Sequence, residues 1–166
     1  MRNGTDVLED LARSALAGAA ATWAMGPVTT YLYEHESKQA RNAEDEARAG
    51  KTAYDTAAEK AAGILGQEVS EEQRRRAGSA IHWALGTGAG AAYGVLRNRL
   101  PGAEACAGLL FGTAFWLVID EVGNYALRLT PAPTAFPWQT HARGLVGHLV
   151  FGVTAHAVLK ALDAVA

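Results

Sequence analysis

The stretch Ala105 to Leu127, ACAGLLFGTAFWLVIDEVGNYAL, runs for 23 residues with only two formal charges, the adjacent acids Asp120 and Glu121. A helix needs about 20 mainly apolar residues to cross the hydrocarbon of a bilayer, so this run is long enough. Three others accompany it. Ser14 to Tyr33 and Ala77 to Leu96 each hold 20 residues without a formal charge, and Gly144 to Leu159 holds 16, extendable to Val165 if Lys160 snorkels to the interface. The reading is an all-α integral membrane bundle of four transmembrane helices, about 14–33, 77–96, 105–127 and 144–162, in one membrane domain, 1–166, with no internal repeats.

Charge distribution supports this reading where the average conceals it. Of 15 basic and 17 acidic residues, 18 fall between Glu34 and Arg76. That polar insert, 34–76, reads mainly as a solvated surface. Within it Thr52 caps a helix whose stripe Tyr54, Ala58, Ala61 and Leu65 ends at Gly66, an amphipathic helix expected at the membrane interface. Ser70 and Gln73 fit a capping box and start the second span early. Pro131, Pro133 and Pro137 favour an extended connection before the fourth span, where Trp138 suits the interfacial belt.

Met1 to Arg13 carries three acids, so the apolar run that follows reads as a first span and not as a signal peptide. Lys and Arg number five on the side of the termini (Arg2, Arg13, Arg97, Arg99, Lys160) and ten on the other, which puts the insert in the cytoplasm. A net charge of -2 and the absence of a basic stripe argue against a nucleic-acid partner. The single cysteine, Cys106, offers no internal disulfide.

Glycine spacing adds an expectation about packing. Gly86, Gly90 and Gly94 recur every fourth residue, and Gly108 with Gly112 repeats the interval. Small residues at that spacing let helix backbones approach closely in lipid, within a chain or in a homo-oligomer.

Four alternating spans bring the end of the first, the start of the second, the end of the third and the start of the fourth to one membrane face. His82, Asp120, Glu121 and His148 then share a depth of roughly 6 to 12 Å below it, from a rise of about 1.5 Å per residue. Asn124 extends the polar face one turn beyond Asp120, and Glu34 follows the first span directly. In an α-helix the two adjacent acids point about 100° apart, so one is expected to face the bundle and the other a neighbouring subunit or the interface. His156 lies deeper and outside the cluster. Thr29, Thr30, Tyr31 and Tyr33 read as interface anchors, and Trp23, Trp83 and Trp116 as packing or belt residues.

Intramembrane ionisable groups are expensive and tend to be functional. Three chemistries fit. His82, Asp120, Glu121, His148 and Asn124 make an ion or proton relay. His82, Asp120, Glu121 and His148, with Glu34 as a further ligand, make a site for a divalent metal such as zinc or iron, and with it a membrane-embedded hydrolase or oxidoreductase, although no HExxH or similar ligand pair is present. The third is a non-catalytic hydrogen-bond network that fixes helix register in a stability or interaction protein. Binding or passage of a small cation, proton or divalent metal, is the preferred function, and no catalytic residue is assigned.

The segments AIHWALGTGAGAAYG in the second span, FWLVIDEVG in the third, the proline-rich loop and HARGLVGHLVFG in the fourth together resemble the YagU-like bacterial inner-membrane proteins, a domain of unknown function. The resemblance covers roughly Ser14 to Leu162. It implies a multi-pass location in the bacterial inner (cytoplasmic) membrane and a part in acid or envelope stress. It supplies no reaction and no site residues.

Overall fold

The computed structural model describes residues 4–100, 102 and 104–165; Arg2, counted above for orientation, lies outside them. Seven α-helical segments follow in order: α1 Gly4–Glu34, α2 Lys38–Arg48, α3 Ala53–Ile64, α4 Glu71–Arg99, α5 Leu109–Trp116, α6 Asn124–Ala126 and α7 Trp138–Asp163. A π-helical turn, Leu117–Gly123, joins α5 to α6. The described residues contain no strand, so the chain is all-α.

Local chemistry starts the helices where polar side chains can satisfy free N–H groups. Ser37 caps α2, and Thr52 with Asp55 and Ser70 with Gln73 form capping boxes at α3 and α4. Pro137 stands at the start of α7, where a missing N–H costs nothing. The helix α7 accordingly begins six residues ahead of the span read from Gly144.

Glycine sets the packing. A β-carbon on Gly90 would stand 2.3 Å from the Cα of Gly18, and one on Gly18 would stand 2.6 Å from the carbonyl oxygen of Gly86. Gly86 and Gly94 lie against Thr22 and Ser14, so α1 and α4 cross backbone to backbone. Gly108 and Gly112 face the carbonyls of Gly152 and His148 in the same manner, drawing α5 onto α7. Between these two seams α1 also packs along α7, giving a lateral order α4, α1, α7, α5. Ala17, Ala21, Tyr93, Phe151, Ala155 and Leu159 fill the centre. The end helices α4 and α5 meet through the rings of Tyr93 and Phe111, 4.8 Å apart, and flank an apolar groove of about 480 Å³ lined by residues such as Gly88, Ala92, Phe111 and Phe115.

Large apolar side chains cover much of the outside, among them Leu16, Trp23, Leu110, Val118 and Trp138, which suits a lipid environment. Two stretches, Cys106–Ala126 and Trp138–Asp163, are long and apolar enough to cross a membrane. The other two expected spans lie in helices of 31 and 29 residues, α1 and α4, whose content of glycine, hydroxyl residues, tryptophan and tyrosine keeps them below that mark.

The insert departs from a single surface helix. It forms two helices, and α3 runs antiparallel to α4, with Glu59 paired to Arg74, Asp55 against Gly78 and Tyr54 against His82. The buried face of α3 is Asp55, Ala58 and Ala62, while Ala61 is exposed and Leu65 is 72% exposed. The bare Cα of Gly78 explains the rotation, because it admits the capped N-terminal turn of α3 instead of the apolar stripe.

Candidate functional site

At one end of the bundle, the second half of α1, the insert, the π-turn, the proline-rich loop and the start of α7 enclose a polar cavity of about 460 Å³. His82, Asp120, Glu121, Asn124 and His148 all line it. Glu34 does not: it ends α1, exposed to solvent. His156 is elsewhere, its Nδ1 hydrogen-bonded at 2.9 Å to the hydroxyl of buried Tyr93.

The π-turn explains how two adjacent acids reach one cavity. Hydrogen bonding from residue i to i+5 widens the helix, as in the bond from the Asn124 N–H to the Ile119 carbonyl. A β-carbon at Gly123 would stand 2.7 Å from the Val118 carbonyl oxygen, so glycine is what the wide turn tolerates there. Neither acid is turned to the outside, in contrast to the divergence expected of a regular α-helix. Asp120 Oδ2 lies 3.6 Å from Nδ1 of His148, and Glu121 Oε1 lies 2.6 Å from Nδ1 of His141. The seven-residue interval between the histidines puts both on one side of α7, each opposite one acid.

The two pairs differ in their second contacts. His148 Nδ1 is 2.9 Å from the Gly144 carbonyl, one turn back, which fixes its N–H and leaves the longer contact to Asp120 electrostatic. Phe115 meets the imidazole edge-on at 4.9 Å. His141 reaches the Pro133 carbonyl through Nε2 at 3.1 Å and Glu121 through Nδ1. A carbonyl only accepts, so Nε2 carries a hydrogen. The close approach of Nδ1 to Glu121 then requires a proton on one of those two atoms, and the pair holds it in line.

The insert closes the cavity through charge. Arg143 pairs with Glu36 and, at 2.6 and 2.5 Å, with both oxygens of Glu44, while Arg48 takes Glu44 at 2.5 Å and Thr140 donates to it at 3.0 Å. The Glu44 side chain is 2% exposed. The ring of Tyr33 lies 5.0 Å beneath the Arg143 guanidinium. At least this part of the insert is therefore no solvated surface. Thr29 and Tyr33, half-buried, line the cavity, Thr30 borders it while remaining exposed, and Tyr31 is exposed. Trp116 lines it as well, with a buried indole N–H that has no hydrogen-bond partner.

Tyr54, at the base of α3, packs edge-on to His82 at 4.8 Å. Burial raises its phenol above the ordinary value, and the Asp120 charge adds to the effect. Glu44, Arg143 and Tyr54 gave little sign in the sequence. Arg143 was legible as the lone charge in HARGLVGHLVFG, but Glu44 is one acid among several in QARNAEDEAR.

Among the described residues, no three His, Cys, Asp or Glu side chains stand close enough to hold a metal ion together. The histidines and acids associate two by two instead of converging on one point.

Fold and site together define a class: an all-helical protein with two helices fit to cross a membrane and a polar, histidine- and acid-lined cavity at one end of its bundle. The family described as Protein of unknown function (DUF1440) matches residues 58–157, more than half of the chain, and this protein belongs to it. The matched region holds both histidine–acid pairs, whereas the first two helices precede it. No curated protein and no solved structure matches.

Proposed function

We propose that the protein is a multi-pass membrane protein of the bacterial inner membrane that binds or passes a small cation, a proton foremost, through its histidine–carboxylate cavity. The resemblance to the YagU-like proteins supports the location. The glycine seam between α1 and α4, with α1 packed along the apolar helix α7 at Gly147, supports four crossings, because helices in such close contact share a solvent.

The observation that carries the reading is the pair His141–Glu121, 2.6 Å apart, with Pro133 fixing the far ring nitrogen. Such a pair keeps a proton on one line and exchanges it at little cost in geometry. His148 and Asp120 stand beside it as a second station, and His82 and Asn124 border the same space. A divalent metal is the secondary form of the cation. His82, Asp120, Glu121 and His148 remain its candidate ligands, with Glu34 too far along the chain end of α1 to serve.

Reconstitution in liposomes with an internal pH dye tests this. A pH jump should collapse faster with protein than without, and His141→Ala or Glu121→Gln should return the rate to that of empty liposomes while leaving the melting temperature within a few degrees. Proton flux that survives both substitutions would overturn the relay. Stoichiometric metal in the purified protein, lost in His82→Ala and His148→Ala, would transfer the reading to the divalent ion. Neither flux nor metal would leave a network that only fixes helix register.

A further inference from the structure

The cavity holds more unmet hydrogen-bonding groups than a proton relay uses. Glu44 is occupied by Arg143 and Arg48, Glu121 by His141, and Asp45 faces the Tyr33 hydroxyl at 3.5 Å. Asp120 differs. Its nearest partner is His148 Nδ1 at 3.6 Å, whose hydrogen is directed to Gly144, so among the described residues its carboxylate accepts no hydrogen bond. One turn earlier on the same helix, the buried Trp116 indole N–H is also unpartnered. Both groups converge over the bare Cα of Gly144: a β-carbon there would stand 3.1 Å from Trp116 Nε1 and 3.2 Å from Asp120 Oδ2. The side chains of Tyr54, Asn124 and His82 border the same space, and they too make no hydrogen bond among the described residues.

We infer that this space, bounded by Asp120, Trp116, Tyr54, His82 and Asn124, is a binding site for a small organic ammonium compound that also carries a hydrogen-bond acceptor, as an amino alcohol does. This rests on reading the cavity as a cation site and names the cation's class. An available carboxylate supplies the counter-charge for an ammonium group. The stranded indole N–H calls for an acceptor on the ligand, which a bare inorganic cation lacks. Size agrees: the cavity of which this space is a part, about 460 Å³ in all, is far more than one bare ion fills and falls within the range of small-molecule pockets.

The test uses full-length protein in detergent, titrated with ethanolamine hydrochloride, ethylammonium chloride and potassium chloride at constant ionic strength, and reads tryptophan emission and calorimetric heat. Ethanolamine should give a saturable change, ethylammonium a weaker one and potassium none. Asp120→Asn should weaken ethanolamine at least about tenfold, the order of a charge-assisted contact. Trp116→Phe should remove most of the emission change and narrow the preference for ethanolamine over ethylammonium. Gly144→Ala guards against misfolding of the Asp120 variant, because it crowds the site with both polar groups intact, and it too should weaken binding. Equal responses to potassium and ethanolamine, or affinity unaltered in both Asp120→Asn and Gly144→Ala, would overturn the inference. Proton flux in liposomes separates the two readings: flux without ammonium binding defeats this one alone, and saturable ammonium binding without flux defeats the relay alone.

Discussion

At the residue scale, the strongest constraints fall on positions with no side chain. Gly90 and Gly18 touch Cα to backbone, whereas Gly88, on the same helix, has nothing within 4 Å of its would-be β-carbon. Overpacking a tight contact costs typically about 1–3 kcal/mol. Gly90→Ala should therefore lower the thermal midpoint in detergent by that order of stability. Gly88→Ala should be neutral or gain up to about 1 kcal/mol from helix propensity. Midpoints read by circular dichroism for both variants check the contrast, and equal losses would remove the claim that α1 and α4 meet at Gly90. The fourfold interval of Gly86, Gly90 and Gly94 was legible in the sequence. Its partner surface, Ser14, Gly18 and Thr22, gives no such signal, because serine and threonine dilute a glycine pattern. Both hydroxyls are turned back onto their own helix, Ser14 to Asp10 and Thr22 to Gly18, so they behave as small apolar surfaces.

Elements were legible in proportion to the locality of their causes. Capping at Thr52 and Ser70 depends on residues three apart and could be read directly. The π-turn could not, since Val-Ile-Asp-Glu-Val reads as ordinary helix until Gly123 is placed against the Val118 carbonyl. That single widening converts two diverging acids into two inhabitants of one cavity. The base of α3 gives a pH prediction. Burial pushes the Asp55 carboxyl up, but hydrogen bonds from the Thr52 N–H and hydroxyl, with Arg74 and Arg75 nearby, outweigh it and hold the group below its usual value. A depressed folded-state value means stability that is present above the unfolded value and is lost as pH falls through the folded one. The melting difference between wild type and Asp55→Asn, expected at about 1 kcal/mol for a lost cap at pH 7, should shrink as pH drops below about 4. A difference that stays constant down to pH 2.5 would mean that the carboxylate charge does not hold the cap.

For the whole molecule, α2, the first helix of the insert, is tied to the start of α7 through Arg143. Arg143 and Glu44 are nearly sequestered, with side chains 10% and 2% exposed. Removing one partner from a buried ion pair costs about 3–5 kcal/mol, because the other charge is left stranded. Arg143→Met should thus free α2, detected as faster proteolysis between residues 35 and 52 while the helical circular dichroism of the bundle persists. If the cleavage rate stays at the wild-type value, another contact holds the insert. Apolar runs announced the helices of the bundle, but hydropathy alone gives no sign that a charged insert folds back over the bundle's end, since its charges look alike until Arg143 selects Glu36 and Glu44.

The open side of the helix row carries its own consequence. Phe115 lines the apolar groove between α4 and α5, and its ring also abuts the edge of His148. The oily groove and the imidazole are thus kept apart, at that point, by the thickness of a single benzene ring.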